Sequence, residues 1–201
     1  MEKEIVKTAG DYRAVIEREE YSYAPDGDYQ AAVIRLDYNG YYDADAKNSA
    51  ANEFEDAAKH FLNYYGLNKG TEVFKRYLTF FHGTKDIREF SYSYSPDSAR
   101  YLAFDSAAMR EEWGSAEDCN DAAAGTAEEW QAYIDGDTYS IAIERRITTS
   151  TVSYFQGEEL QTEESEEWEE LADTSCGGFY GEPWAREAAE ELLSHYATEG
   201  N

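Results

Sequence analysis

Between Glu158 and Leu171 the chain reads EELQTEESEEWEEL, with glutamate at eight of fourteen positions. From Ile147 to Ala185 there is no Lys, Arg or His, so nothing nearby in sequence neutralises these charges. Read as a helix, the run sets Glu159, Glu163 and Glu167 one turn apart, and likewise Glu166 and Glu170. Each like-charge pair at that spacing costs a few tenths of a kcal/mol. A chain that accumulates such pairs either gains solubility from them or uses them as a surface. Leu160, Trp168 and Leu171 are the apolar residues that would anchor the run to a core.

The charge is one-sided. Of 201 residues 43 are acidic and 17 basic, for a net charge of −26. Residues 1–101 carry 18 acids against 13 bases, whereas residues 102–201 carry 25 acids against only Arg110, Arg145, Arg146 and Arg186. Such a field repels nucleic acid and anionic membrane and attracts basic surfaces at long range. Disordered acidic tails are poor in aromatics, but here 15% of residues are aromatic, 18 of them Tyr, so the chain folds. The opening MEKEIVKTAG is charged and lacks the apolar segment of a secretory signal. No window has the length of apolar sequence that spans a bilayer. Cys119 and Cys176, two and far apart, read as free thiols in a reducing cytoplasm rather than a disulfide.

Patterning predicts an α+β fold, a mixed and mainly antiparallel sheet packed with several amphipathic helices. Residues 1–18 fit an edge strand or part of a helix. Pro25 and Gly27 signal a turn, as does Asn39-Gly40. Tyr29–Asp37 reads as a strand with Ala32, Ile34 and Leu36 on one side and Ala31 and Val33 on the other. Asn48–Tyr65 is the clearest helix, with Ala50, Phe54, Ala58, Phe61, Leu62 and Tyr65 on one face and Gly66 as its stop. Thr71–Phe81, Phe90–Tyr94 and Arg100–Asp105 read as strands from their β-branched and aromatic content. Ser106–Trp113 reads as a helical turn or two, and Thr126–Ile134 as a helix opened by a capping box from Thr126 to Glu129. Tyr139–Ile147 is a strand with Tyr139, Ile141, Ile143 and Ile147 on one side. Residues 175–181 read as a glycine-rich loop, and Pro183 starts a last helix with Ala185, Ala189 and Leu193 in its apolar stripe. The chain is thus a single α+β domain, either undivided or in two lobes meeting near residue 101, the second of them strongly acidic.

Catalytic and metal motifs are missing. His60, His82 and His195 stand in no ligand spacing. Asp43-Ala-Asp45 starts like a calcium loop, but Lys47, Asn48 and Phe54 occupy positions that require a ligand, a glycine and a glutamate. Gly177, Gly178 and Gly181 lack the lysine of a phosphate cradle, and Cys176 has no motif around it. Among 43 acids no particular pair stands out for acid–base work. The expectation is a non-enzymatic protein with no cofactor and no metal.

The acidic half then has two readings. One is a solvated face that keeps the chain soluble or adapts it to salt. The excess of Glu over Asp in the run, and the near balance of the first hundred residues, weigh against it. The other is that carboxylates about 6 Å apart along a helix imitate a row of phosphates and engage Arg and Lys in a nucleic-acid groove, gaining affinity by counterion release. In length, acidity and aromatic content the chain resembles the DNA-mimicking antirestriction and anti-CRISPR proteins of phages and plasmids. The resemblance rests on composition and on Glu111–Asp137 and Glu158–Asp173, with no signature motif. It implies a small cytoplasmic non-enzyme, often dimeric, that blocks the nucleic-acid site of a host defence nuclease without binding nucleic acid or membrane itself. The expected partner-binding residues are Glu158, Glu159, Glu163, Glu164, Glu166, Glu167, Glu169, Glu170 and Asp173, with Glu111, Glu112, Glu117, Asp118, Asp121, Glu128 and Glu129 as a second patch. The alternatives are an interaction module using aromatic contacts, and an enzyme with acid–base carboxylates.

Overall fold

The computed structural model describes residues 3–25, 31–37, 47, 49–96, 99–105, 110–111, 116–155 and 158–199. The fold is α+β, as the patterning predicts, with antiparallel sheets packed by helices. The chain divides into two compact units: Met1–Tyr21 joined by Asp137–Asn201, and Ser22–Gly136. These boundaries differ from a division near residue 101, which followed charge. Packing follows strand pairing instead, and pairing carries the first strands of the chain into the sheet built by residues 138–180.

In the first unit β1 (Glu4–Ala9) and β2 (Tyr12–Arg18) form a hairpin that turns at Gly10, whose φ of 61° suits glycine. β2 then pairs antiparallel with the first part of β6 (Thr138–Phe155), from Tyr12↔Arg145 to Arg18↔Tyr139. β7 (Glu158–Glu170) and β8 (Cys176–Tyr180) also pair with β6, β8 from Thr138 to Ile141 and β7 from Glu144 onward. One side of this sheet is closed by the last helix (Glu182–Glu199), whose Ala185, Ala189 and Leu193 recur every fourth residue and pack on Ala14, Ile16, Ile141 and Ile143. The predicted stripe is therefore real at those three positions, while Trp184 stays 64% exposed.

The second unit is a three-layer sandwich. Its sheet has the order β3 (Ala32–Asp37), β5 (Ala99–Phe104), β4 (Ile87–Phe90), all antiparallel. Ala32, Ile34, Leu36, Leu102 and Phe104 face a 3-10 turn (Ser49–Phe54), α1 (Glu55–Tyr65) and α2 (Leu67–His82), which supply Phe54, Ala58, Leu62, Leu67, Phe74 and Leu78. Val33, Ala99, Tyr101 and Ala103 face the opposite way, onto Trp130 of α3 (Ala116–Ile134). The last helix of the chain is accordingly α4. Gly66 separates α1 from α2 at φ 74°, its N–H donating to Leu62 O at 2.8 Å. Gly70 lets the two helices close: a Cβ there would stand 2.9 Å from Phe61 O.

Four readings from sequence are corrected. Thr71–Phe81 is helical within α2, because Leu67, Thr71, Phe74 and Leu78 are buried at three- and four-residue spacing and the packing overrides the β-branched composition. Thr126 caps nothing; it lies inside α3, and its Oγ1 accepts the Ala31 N–H at 3.2 Å. Residues 176–180 are a strand rather than a loop, with Gly178 at φ 83° donating its N–H to Glu19 Oε1 at 3.2 Å. Glu158–Glu170 is a strand and not a helix. The turn at Asn39-Gly40, residues 26–28 of the first turn and most of Ser106–Trp113 lie outside the described residues. Among the described residues no helix is long and apolar enough to cross a membrane.

Candidate functional site: an acidic β-ribbon

β2 stops beside Arg145, so from Ile147 onward β6 pairs, among the described residues, with β7 alone, in the register Ile147↔Glu167, Thr149↔Ser165 and Thr151↔Glu163 out to Phe155↔Glu158. The two strands thus continue past the sheet as a ribbon. Thr148, Thr149, Ser150 and Thr151 of β6 are exposed, as are Glu164, Ser165, Glu166 and Glu167 of β7. Residues directly opposite in an antiparallel pair share a face, and neighbours along a strand alternate. Glu164, Glu166 and Glu170 therefore lie on one side with Trp168, and Glu167 and Glu169 on the other. The single helical row expected from the sequence is replaced by two rows, one per face, because the period is two and not 3.6.

The spacing survives this change. Alternate residues of a strand stand about 7 Å apart. Glu163–Glu170 holds six glutamates in eight residues, about one charge per 4–5 Å, against one per roughly 3.4 Å along a single DNA strand. Glu163, Glu164 and Glu166 stand opposite Thr151, Ser150 and Thr148, which are short and neutral, and Glu167 stands opposite Ile147; nearer the sheet Glu169 stands opposite Arg145 and Glu170 opposite Glu144.

At its root the ribbon is clamped by charge. Arg13, Glu144 and Glu170 stand directly opposite one another on three adjacent strands. Glu144 is 4% exposed; Arg13 Nε donates to it at 2.7 Å and Lys3 Nζ at 2.9 Å. Lys3 Nζ also donates to Glu170 at 2.8 Å, and the Arg13 guanidinium lies 4.4 Å from the Trp168 ring centroid. Burial opposes ionisation of Glu144, but the hydrogen bonds from Lys3 and Arg13 outweigh it and hold its carboxyl below the ordinary value. On the same side Arg146 donates to Asp11 Oδ1 at 2.5 Å and lies 3.7 Å from Glu166. Beyond β7 the buried Thr174 hydroxyl donates to Leu171 O at 2.9 Å and accepts the Ile143 N–H at 3.1 Å, fixing the chain as it leaves the ribbon.

These contacts decide which predicted acids are available. Glu170 is committed to Lys3, and Glu166 is partly answered by Arg146. Glu164, Glu167 and Glu169 have no ion pair among the described residues and are exposed. Glu158, Glu159 and Glu163 are placed on β7 by their backbone pairing, their side chains lying outside the described residues. Asp173 is exposed in the turn after β7 at φ 66°, a left-handed conformation that Asp tolerates better than most residues. Of the anchors, Trp168 is half-buried and Leu171 packs on the core of its unit, while the Leu160 side chain lies outside the described residues.

The second predicted patch belongs to the other unit. Asp121 and Glu128 are exposed on α3; Glu129 is half-buried, and burial pushes its carboxyl up. Glu111 is exposed, Glu117 and Asp118 lie on α3 with side chains outside the described residues, and Glu112 is outside them altogether. Sequence reasoning missed the clamp of Lys3, Arg13 and Glu144, because Glu144 lies 141 residues from Lys3 and 131 from Arg13. Cys119 is buried and Cys176 exposed, and no disulfide joins them. Among the described residues no group of three or more His, Cys, Asp or Glu could hold a metal ion.

No protein-family model, curated protein or solved structure matches this chain.

Proposed function

We propose that this chain is a non-enzymatic inhibitor that lays its acidic β-ribbon on the nucleic-acid-binding surface of a basic protein, a host defence nuclease or another DNA-binding protein, and acts in the cytoplasm. One observation carries the reading: Glu164 and Glu167, exposed and with no ion pair among the described residues, stand on a ribbon that projects beyond its sheet, with the exposed Glu169 following at its root opposite Arg145. Such an array condenses counterions that a cationic groove releases on binding, the source of affinity that DNA uses. It also speeds encounter at low salt. The buried clamp at Glu144 supports the reading, since a fixed root holds the array in one geometry and lowers the entropy lost on docking.

The test is capture from a native-host lysate at low and high ionic strength, with the captured protein identified by mass and then challenged with duplex DNA. The proposal expects a basic nucleic-acid-binding protein, lost steeply as salt rises and displaced by DNA. Capture that resists salt and DNA refutes it. That outcome favours an aromatic interface, for which Phe80 and Phe81, 87% and 77% exposed at the end of α2, are the surface in the second unit.

A further inference from the structure

Among the described residues five strands have an outer edge, and four of these edges are blunted; β8 is five residues long and pairs with β6 in a shifted register. β1 is six residues long and bulged between Ile5 and Lys7. β4 is four residues long, and β3 is met at Ile34 by a bridge from Lys47. β7 is different. From Gln161 to Glu170 it runs without a bulge or a proline, and among the described residues no strand pairs with its outer side. Every second N–H and C=O along this edge points away from β6. At strand rise the open edge is about 34 Å long. An edge of this length is a template for another strand.

Charge decides which strand fits. A second copy laid antiparallel along β7 would bring glutamate against glutamate, a destabilising arrangement on both faces. A chain with Lys or Arg at alternate positions meets the opposite case, facing Glu164 and Glu166 on one side and Glu167 and Glu169 on the other. We propose that β7 binds an extended Lys/Arg-rich segment of its partner by strand addition, with backbone hydrogen bonds setting register and carboxylates setting specificity. This rests on the docking reading above and narrows it: the partner contributes a basic strand or tail, and not only a charged groove.

The test uses the full chain and two probe peptides of alternating lysine and threonine, identical in charge, one of them N-methylated at every residue so that neither of its edges can donate to β7. Affinity is read by fluorescence anisotropy, and backbone pairing by hydrogen exchange of the β7 amides. The proposal expects the unmodified peptide to bind about tenfold or more tightly and to protect β7 amides, with the methylated one doing neither. Replacing Glu164, Glu167 and Glu169 by Lys should transfer binding to a glutamate–threonine peptide, a gain that mere loss of folding cannot give. Equal binding of both lysine peptides without protection overturns strand addition and leaves electrostatic docking standing. Failure of both peptides to bind overturns strand addition too, while displacement of the captured partner by DNA decides the docking reading separately. Protection of β7 that grows with protein concentration and no peptide points to a second copy and also overturns it.

Discussion

Replacing Glu144 by Ala removes the carboxylate on which the ribbon root converges. Breaking a buried pair by deleting one partner costs about 3–5 kcal/mol when the survivor stays buried and uncompensated. Here the survivors have exits: the Arg13 and Lys3 side chains are 21% and 38% exposed, and Lys3 retains Glu170. A charge-assisted hydrogen bond of about 1.5–3 kcal/mol is then the better guide. The expected loss is about 2–3 kcal/mol, or a 30- to 150-fold shift of the folding equilibrium at 1.4 kcal/mol per decade. With a urea slope of roughly 2 kcal/mol per molar, the midpoint falls by about 1–1.5 M. Circular dichroism in urea reads this, with the exposed Glu169→Ala as a control expected to change stability by less than about 0.5 kcal/mol. A Glu144→Ala loss as small as the control's would refute the clamp.

Three further outcomes follow from the packing. Gly70→Ala should destabilise by about 1–3 kcal/mol despite alanine's better helix propensity, because its Cβ would meet Phe61 O at 2.9 Å and Leu62 Cα at 3.0 Å; thermal melts check it. Leu193→Ala, deleting a side chain 1% exposed between α4 and the sheet, should cost about 2–5 kcal/mol, and amide exchange should quicken in β2 and β6 but not in β3 or β5. Glu55, held down by hydrogen bonds from Lys47 and Lys59, shares with Glu144 a folded pKa below its ordinary 4.5. Such groups add stability above the unfolded pKa and lose it as pH falls through the folded one. Urea midpoints should therefore drop below about pH 4.5, and the drop should be shallower in Glu144→Gln.

Where apolar residues repeat against a core, the fold was legible. Ala32, Ile34 and Leu36 alternate on β3, Phe54, Ala58 and Leu62 step along the 3-10 turn and α1, and Ala185, Ala189 and Leu193 step along α4, all buried. α2 was hidden because Thr71, Val73 and Thr79 imitate a strand, while Leu67, before the segment chosen, begins the stripe that Phe74 and Leu78 continue. β7 was hidden more deeply. Glutamate favours helices and is depleted in strands, and only the long hydrogen-bonded partner β6 overrides that preference. The sequence did hold a signal: a β-branched run ending at Phe155 is separated from Glu158 by two residues that include Gly157, the spacing of a hairpin. The acidic surface itself was legible as composition. Its division into two faces was not, because period-two geometry appears only once the strand is known.

The most direct measurement is displacement of labelled duplex DNA from the captured basic protein, comparing the parent chain with a Glu164→Gln, Glu167→Gln, Glu169→Gln variant. Three exposed charge contacts at roughly 0.5 kcal/mol each predict about a tenfold loss of potency for the variant, shrinking as salt is raised. Equal potency of parent and variant at low salt would contradict the claim that the ribbon's free carboxylates stand in for phosphates.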